Sequence, residues 1–361
     1  MSNHRIAITG LGNICAAGIG LEEVAAALSE PGTIEPGVFA EVHDFDIADF
    51  VSTKQSYLDR HTALGMAAVS LTMENAGVEI AGSTADCGIA VGTALGNAQT
   101  TEAFMKTLFA KGGKYVSPFL FTHAYPNTTA SMAAIAFSLK GPMINLFGDA
   151  TAGLNAVIAA ADTLRQGAGK AIVTLGAEAP GALDRQALEQ APEGAPPPAE
   201  GAAALVLERL DSVVNRGGSS HAELKAEATR SFDWDDADGV VNAIRLLADD
   251  TIDASDVDKA DILLVDGAPL WTHDVAPPFS VDGLKGPVIA IEKSIGRALA
   301  ACGPLGLVLG AALVSPRAGD VRGELAKHLA DGAEVNTAMI VSLDEAGSAA
   351  GVLIQGARRK P

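Results

Sequence analysis

Three thiols, Cys15, Cys87 and Cys302, are the chain's candidate sulfur nucleophiles and soft metal ligands in 361 residues. An odd number with no C-x-x-C pair supports neither a disulfide framework nor a zinc site, and suits a reducing cytoplasm. His273 beside Asp274 has the residue types of a general base and its carboxylate, but neighbours on a strand or turn point apart, so a solvated loop pair is the plainer reading. His61 and His123 stand at no metal-ligand spacing and read as ordinary core or surface residues. The stretch Thr9-Gly10-Leu11-Gly12-Asn13 begins like a dinucleotide fingerprint, but its third glycine is Cys15 and no acidic residue closes a second strand about 20 residues on. A tight turn fits it better. Phosphate-loop, H-E-x-x-H and G-x-S-x-G patterns are missing, and Gly347-Ser348-Ala349-Ala350-Gly351 has the wrong spacing for a nucleophile elbow. No metal and no cofactor are expected.

The elements that must position any site follow from composition and pattern. Hydrophobic residues make up 48% of the chain, enough for one large core or two fused domains. A net charge of −19 repels phosphate backbones and anionic headgroups, which argues against nucleic acid as a partner. The N-terminal MSNHRIAITGLG reads as a first strand without the features of a secretory signal. The apolar runs, such as Leu305 to Val314, fall short of the roughly 20 residues that span a bilayer, so no membrane insertion is expected. With 39 glycines and only 4% aromatics, the core is expected to rely on close backbone packing rather than large rings.

Runs rich in β-branched residues predict strands at Arg5–Thr9, Gly88–Gly92, Pro142–Phe147, Ala171–Leu175 and Ala203–Leu207. Helical spacing predicts Leu58–Ala76, stopped by Gly77, and Ala152–Gln166, stopped by Gly167. The order then resumes: a strand at Ala222–Thr229, a helix at Asp238–Asp250, strands at Asp261–Val265 and Pro287–Ile291, a long helix at Ser294–Leu313, and strands at Ala338–Ser342 and Gly351–Ile354. This is α/β alternation in two similar halves, residues 1–210 and 211–361, with helices on both faces of the sheets. Residues 179–200, containing GAPPPAEG, read as a surface loop between them.

The segment from Tyr125 to Glu178, with its Pro126-Asn127, Gly141-Pro142 and the turn Asp149-Ala150-Thr151-Ala152-Gly153, resembles the β-ketoacyl-acyl-carrier-protein synthases of the thiolase superfamily. Around it, ITGLGNICAAGIG, GIAVGTALGN, GAGKAIVTLGAE, AEGAAALVLERL and VIAIEKSIGRALAACGPLGLVLGAALV resemble that family's segments in the family's order. The resemblance implies the thiolase fold: two duplicated halves in a five-layer αβαβα arrangement. It also implies a dimer formed along Met143, Ile144, Asn145, Leu146 and Phe147. Strand alternation puts Asn145 on the face opposite Ile144, with Ile144 expected in the contact.

The chemistry departs from the pattern. In the family a cysteine opens the central helix and carries the acyl chain as a thioester, its thiolate favoured by the helix dipole. The matching residue is Ala150, which has no lone pair. Two family histidines bind the thioester carbonyl and promote decarboxylation; Asp266 and Arg297 stand in their places, and only Lys293 of the Lys-x-x-x-Gly-His segment is retained. A carboxylate at 266 would repel the enolate an imidazole stabilises. Asp266 and Arg297 are expected to pair across the vacated site, with Lys293 a second candidate partner for Asp266. Leu343-Asp344-Glu345-Ala346-Gly347 replaces the family's glycine-rich gate.

The resemblance therefore implies a catalytically inactive, chain-length-factor-like subunit. It would pair with an active ketosynthase subunit, or with itself, meet acyl carrier protein through that complex, and help shape the acyl tunnel in polyketide or fatty-acid-type biosynthesis. Two alternatives remain open: a divergent acyl-transfer, hydrolytic or decarboxylating enzyme without covalent cysteine, and a homodimeric acyl-binding scaffold.

Overall fold

A computed structural model describes residues 4–28, 34, 38–52, 57–77, 86–190, 192, 194–275 and 281–357. Its first half contains β1 (Ile6–Cys15), β2 (Gly18–Ile19), α1 (Leu21–Ala27), α2 (Arg60–Ala76), β3 (Cys87–Thr93), α3 (Ala98–Lys111), α4 (Pro118–Ala124) and α5 (Thr128–Ala136). There follow β4 (Met143–Phe147), α6 (Ala152–Arg165), β5 (Ala171–Glu178), α7 (Ala182–Leu188) and β6 (Gly201–Arg209). The second half holds α8 (Leu210–Asn215), β7 (Ala222–Ser231), α9 (Ala237–Asp253), β8 (Ile262–Asp266), α10 (Pro269–Thr272), β9 (Val288–Ala290) and α11 (Glu292–Ile295). It closes with α12 (Cys302–Val314), α13 (Gly319–Leu329), β10 (Thr337–Leu343) and β11 (Ser348–Gly356).

Strand order gives the architecture. One path runs β4-β3-β5-β6-β1-β7-β11-β10-β8-β9, with β2 on β1. Read outward from the centre, β1-β6-β5-β3-β4 matches β7-β11-β10-β8-β9 position by position. Each set has two antiparallel pairings followed by two parallel ones. The two sheets meet where Ile6, Ala7 and Ile8 pair with Leu224, Glu223 and Ala222.

Three apolar clusters separate the layers. The central one joins α6 and α12 to the inner faces of both sheets, through Leu154, Val157, Leu164, Leu307, Ile340 and Ile354 among others. The second packs α2 and α5 on the outside of the first sheet, and the third packs α9 and α10 on the outside of the second. This is the five-layer αβαβα thiolase arrangement. Every residue of α12 is buried, as a helix apolar all round must be. Among the described residues no single helix is long and apolar enough to cross a membrane.

Three stretches were misread from pattern. Residues 9–13, read as a tight turn, continue as strand inside β1 and pair with β6, and residues 179–200, read as a surface loop, contain α7. The helix expected over Ser294–Leu313 breaks: α11 ends at Gly296, whose φ of 77° lies in the left-handed region, and α12 starts only at Cys302. Pro304 is tolerated because it falls in the first turn of α12, where its missing N–H has no helical partner to lose. That break turns residue 297 away from both helices. Close approach also fixes the middle layer: a Cβ on Gly92 would lie 2.0 Å from Ala152 O, and one on Gly153 would lie 1.9 Å from Ala300 O.

Candidate functional site

The start of α6 is the centre of the candidate site. Ala150, 6% exposed, precedes it, and its N–H donates to Asp344 Oδ2 at 3.1 Å. Asp149 Oδ1 accepts from Thr151 N at 2.9 Å and Thr151 Oγ1 at 2.6 Å, while its Oδ2 accepts from Ser348 Oγ at 2.5 Å. Two carboxylates thus sit at one helix N-terminus, where the exposed N–H groups and the macrodipole favour negative charge. The loop between β10 and β11 reaches over this end, with Asp344 Oδ1 accepting from Ala346 N at 2.7 Å.

No thiol is available there. Cys15, Cys87 and Cys302 are all buried; burial raises the first to about 11 and the second to about 12, and holds Cys302 well above its ordinary value. Cys302 opens α12, where its sulfur accepts from Ala298 N at 3.1 Å and lies 4.0 Å from Glu292 Oε1. As undissociated thiols they are poor nucleophiles.

Asp266 ends β8 in register with Ser342 of β10, whose Oγ donates to Asp266 Oδ2 at 2.9 Å. Its Oδ1 is buried and unpartnered. Burial first, and then the nearby charge of Glu292, raise its pKa well above the carboxylate range against the hydrogen bond from Ser342. Glu292 is raised as well, chiefly by burial, against the hydrogen bond from Trp271, the charge of Arg297 and the N–H of Gly267. Its Oε2 accepts from Trp271 Nε1 at 2.5 Å and Gly267 N at 3.2 Å. Glu292 and Asp344 both escaped the sequence reading: the glutamate beside Lys293 carried no pattern of its own, and LDEAG registered as a lost gate rather than as a cap.

The expected Asp266–Arg297 ion pair does not form. Arg297, 6% exposed, donates from Nε to Pro196 O at 2.7 Å and from Nη2 to Leu188 O at 2.8 Å. Its backbone bridges the same loop, receiving Ala199 N and donating to Pro197 O. Two carbonyls close at hand, reached because Gly296 turns the chain, outcompete a carboxyl whose ionisation burial disfavours. Lys293 does not meet Asp266 either; exposed, it holds Nζ 5.6 Å from the centroid of the Trp271 ring.

The remaining candidates are structural. His273 faces Trp234 with ring centroids 6.2 Å apart, and its Nε2 is buried without a partner. His61 is fully buried, hydrogen-bonded through Nε2 to Ala177 O and through Nδ1 to Thr129 Oγ1, and burial lowers its pKa. His123 packs against Tyr57 and Phe119. Among the described residues no group of three or more His, Cys, Asp or Glu side chains could hold a metal ion. Two buried glutamates brace the segments flanking the site. Glu178 ends β5 and accepts from Thr93 Oγ1, Ala94 N and Leu95 N, and burial pushes it up to about 8. Glu200 accepts from Val42 N and pairs with Arg60 at 2.7 Å.

On the sheet edge, β4 pairs only with β3 among the described residues. Ile144 and Leu146 turn inward against the central cluster, whereas Met143, Asn145 and Phe147 form the exposed row. This reverses the expected facing of Ile144 and Asn145. The core lies on the α6 side of this strand, and alternation follows from it.

Comparison with known proteins agrees with this geometry. Residues 31–192 match the family model described as "Beta-ketoacyl synthase, N-terminal domain". The chain is 27% identical to 3-oxoacyl-[acyl-carrier-protein] synthase 2 of Staphylococcus aureus strain N315, over 63% of each chain. It is 29% identical to the Vibrio harveyi protein of the same name, over 62% of each. The match thus spans less than two thirds of these relatives' length. Among solved structures, a type II polyketide acyl carrier protein complex with its hexaketide-bound ketosynthase superposes with a TM-score of 0.78 at 18% identity, covering 98% of this chain and 100% of that one. The ishigamide ketosynthase/chain length factor gives 0.78 at 20% identity, covering 99% and 100%. At these identities the structural likeness is one of fold.

Proposed function

We propose that this chain, a member of the β-ketoacyl synthase family with the thiolase fold, is the non-catalytic half of a two-subunit condensing enzyme, chain-length-factor-like in role. The observation that carries the reading is the start of α6, where Ala150 offers no nucleophile and its N–H is already taken by the carboxylate of Asp344. Activation of an acyl group by that N–H would require displacing the chain's own anion. Asp266 and Arg297 supply neither imidazole chemistry nor a shared proton path, since they do not meet.

Pairing with a cysteine-bearing ketosynthase is supported by an uncovered edge and an apolar surface. Among the described residues the outer edge of β4 is unpaired, and Met143 and Phe147 on its exposed row are 47% and 62% exposed. A chain with 4% aromatics also exposes Phe109, Tyr115, Phe119, Phe121 and Tyr125 around α3 and α4. Unpaired edges and exposed apolar surface of this kind favour association. The five residues Met143 to Phe147 would form the seam, the halves 1–210 and 211–361 would each supply one sheet, and acyl carrier protein would be met through the complex. A tunnel-shaping role follows from that placement. The unpartnered Oδ1 of Asp266 favours the competing reading, a divergent enzyme using a protonated buried acid.

The test is incubation of the chain, alone and with a candidate ketosynthase, with acyl carrier protein thioester, followed by intact-mass measurement and light scattering. The reading expects a stable heterodimer acylated only on the partner. An acyl adduct on this chain, or thioester turnover by the chain alone that Asp266→Asn abolishes, would establish the competing reading. Ala150→Cys should leave condensation undetectable, because neither histidine position is restored.

A further inference from the structure

Arg297 presents a problem that its two hydrogen bonds do not solve. A guanidinium has five N–H groups. One on Nε and one on Nη2 reach the carbonyls of Pro196 and Leu188, which leaves both N–H groups of Nη1 and one of Nη2. Among the described residues Arg297 forms no ion pair, and Glu292 feels its charge without a hydrogen bond to it. A buried cation without a counter-ion is costly, the more so when neutral carbonyls are all that holds it. Nη1, without a partner, is not among the sealed buried atoms. Arg297 lines a cavity of about 450 Å³ whose wall also includes Leu188, Glu189, Pro192, Pro196 and Lys293.

From this geometry we propose that the cavity between the 188–198 loop and the start of the α11–α12 segment binds an aliphatic monocarboxylate, its head on the Nη1–Nη2 edge of Arg297 and its body along the proline wall. The free edge of Arg297 presents the paired donors that a carboxylate takes bidentately. Lys293 adds a second cation at the wall, and Glu189, exposed, forms no ion pair with either. The rest of the lining decides between anions. Of the lining, Pro192, Pro196, Pro197 and Pro198 carry no N–H, so a phosphate finds few further donors there, whereas an alkyl chain loses nothing against such a wall. The proposal does not depend on whether the chain is a catalytic or a non-catalytic subunit.

Titration calorimetry with sodium octanoate below its micellar concentration tests it, with octanol carrying the body without the charge and inorganic phosphate the charge without the body. Octanoate should bind with one site per chain. Octanol should bind at least about ten-fold more weakly, because it leaves the buried guanidinium unpaired, and phosphate should bind more weakly than octanoate. Arg297→Met should weaken octanoate by at least about thirty-fold. Should that variant fail to fold, the exposed Lys293→Gln keeps the test, with an unchanged melting temperature and an affinity loss of about two- to five-fold. No octanoate binding, equal binding of octanol, tighter binding of phosphate, or indifference to Lys293→Gln would each overturn the proposal.

Discussion

Replacing Asp266 with Asn distinguishes a buried neutral acid from a buried anion. The side chain is 1% exposed and receives one hydrogen bond, from Ser342, while Oδ1 has no partner. Burial and the charge of Glu292 raise its pKa, so the folded state keeps a proton that an unfolded Asp, with a pKa near about 3.9, has already released. In that interval the folded state binds more protons than the unfolded one. Stability is therefore fully present below about pH 4 and falls with rising pH by about 1.4 kcal/mol per unit until the folded carboxyl itself ionises. Asn retains an acceptor for Ser342 and cannot ionise. The variant should match the wild type within about 1 kcal/mol near pH 4, then gain on it by about 1.4 kcal/mol with each pH unit. Urea unfolding across this range, read by the fluorescence of Trp234 and Trp271, measures the difference directly. A variant less stable than wild type by about 3 kcal/mol or more at neutral pH would refute the reasoning, because that is the signature of a lost ion pair.

Phe147→Glu should yield a monomer in light scattering with the partner ketosynthase and leave the melting temperature of the free chain unchanged, since the side chain is 62% exposed and the charge meets an apolar surface only in a complex. Arg60→Met should destabilise by about 3 to 5 kcal/mol in urea titrations, because it strands Glu200, which is 1% exposed and retains only the Val42 N–H. Asp344→Ala should cost about 1 kcal/mol as a lost helix cap, with faster hydrogen exchange at the Ala150 amide that it uncovers.

The layered fold was legible because both of its signals are local. Strand runs such as Ala171–Leu175 and Ala203–Leu207 fell inside β5 and β6, and glycine stops marked the end of α2. The break in the long second-half helix was not, because the apolar run continues through it while Gly296 takes a positive φ. At the candidate site the pairing was not legible. Matching positions placed Asp266 and Arg297 where two histidines belong, but direction is set by what lies around each. Asp266 shares a register position with Ser342, and Arg297 follows a turn that faces two carbonyls. Opposite charges at equivalent positions suggested a pair; desolvation of the acid and a nearer set of acceptors for the guanidinium decided otherwise.

The three replacements act together on the start of α6. Its N–H groups and dipole attract anions, and the chain satisfies them with Asp149 and Asp344 in place of a thiolate. A cysteine introduced at 150 would have to ionise beside the carboxylate that Ala150 N already binds, and like charge raises a thiol's pKa rather than lowering it. Residues 266 and 297 add no cation to offset this, since burial raises the Asp266 carboxyl and Arg297 is directed to the carbonyls of Leu188 and Pro196. On the reading proposed above, recovery of a reactive thiol there would require removal of Asp344 as well as insertion of the sulfur, and condensation would require both imidazoles in addition. On that reading each replacement makes reversal of the others less favourable, and the start of α6 serves as a packed and capped element.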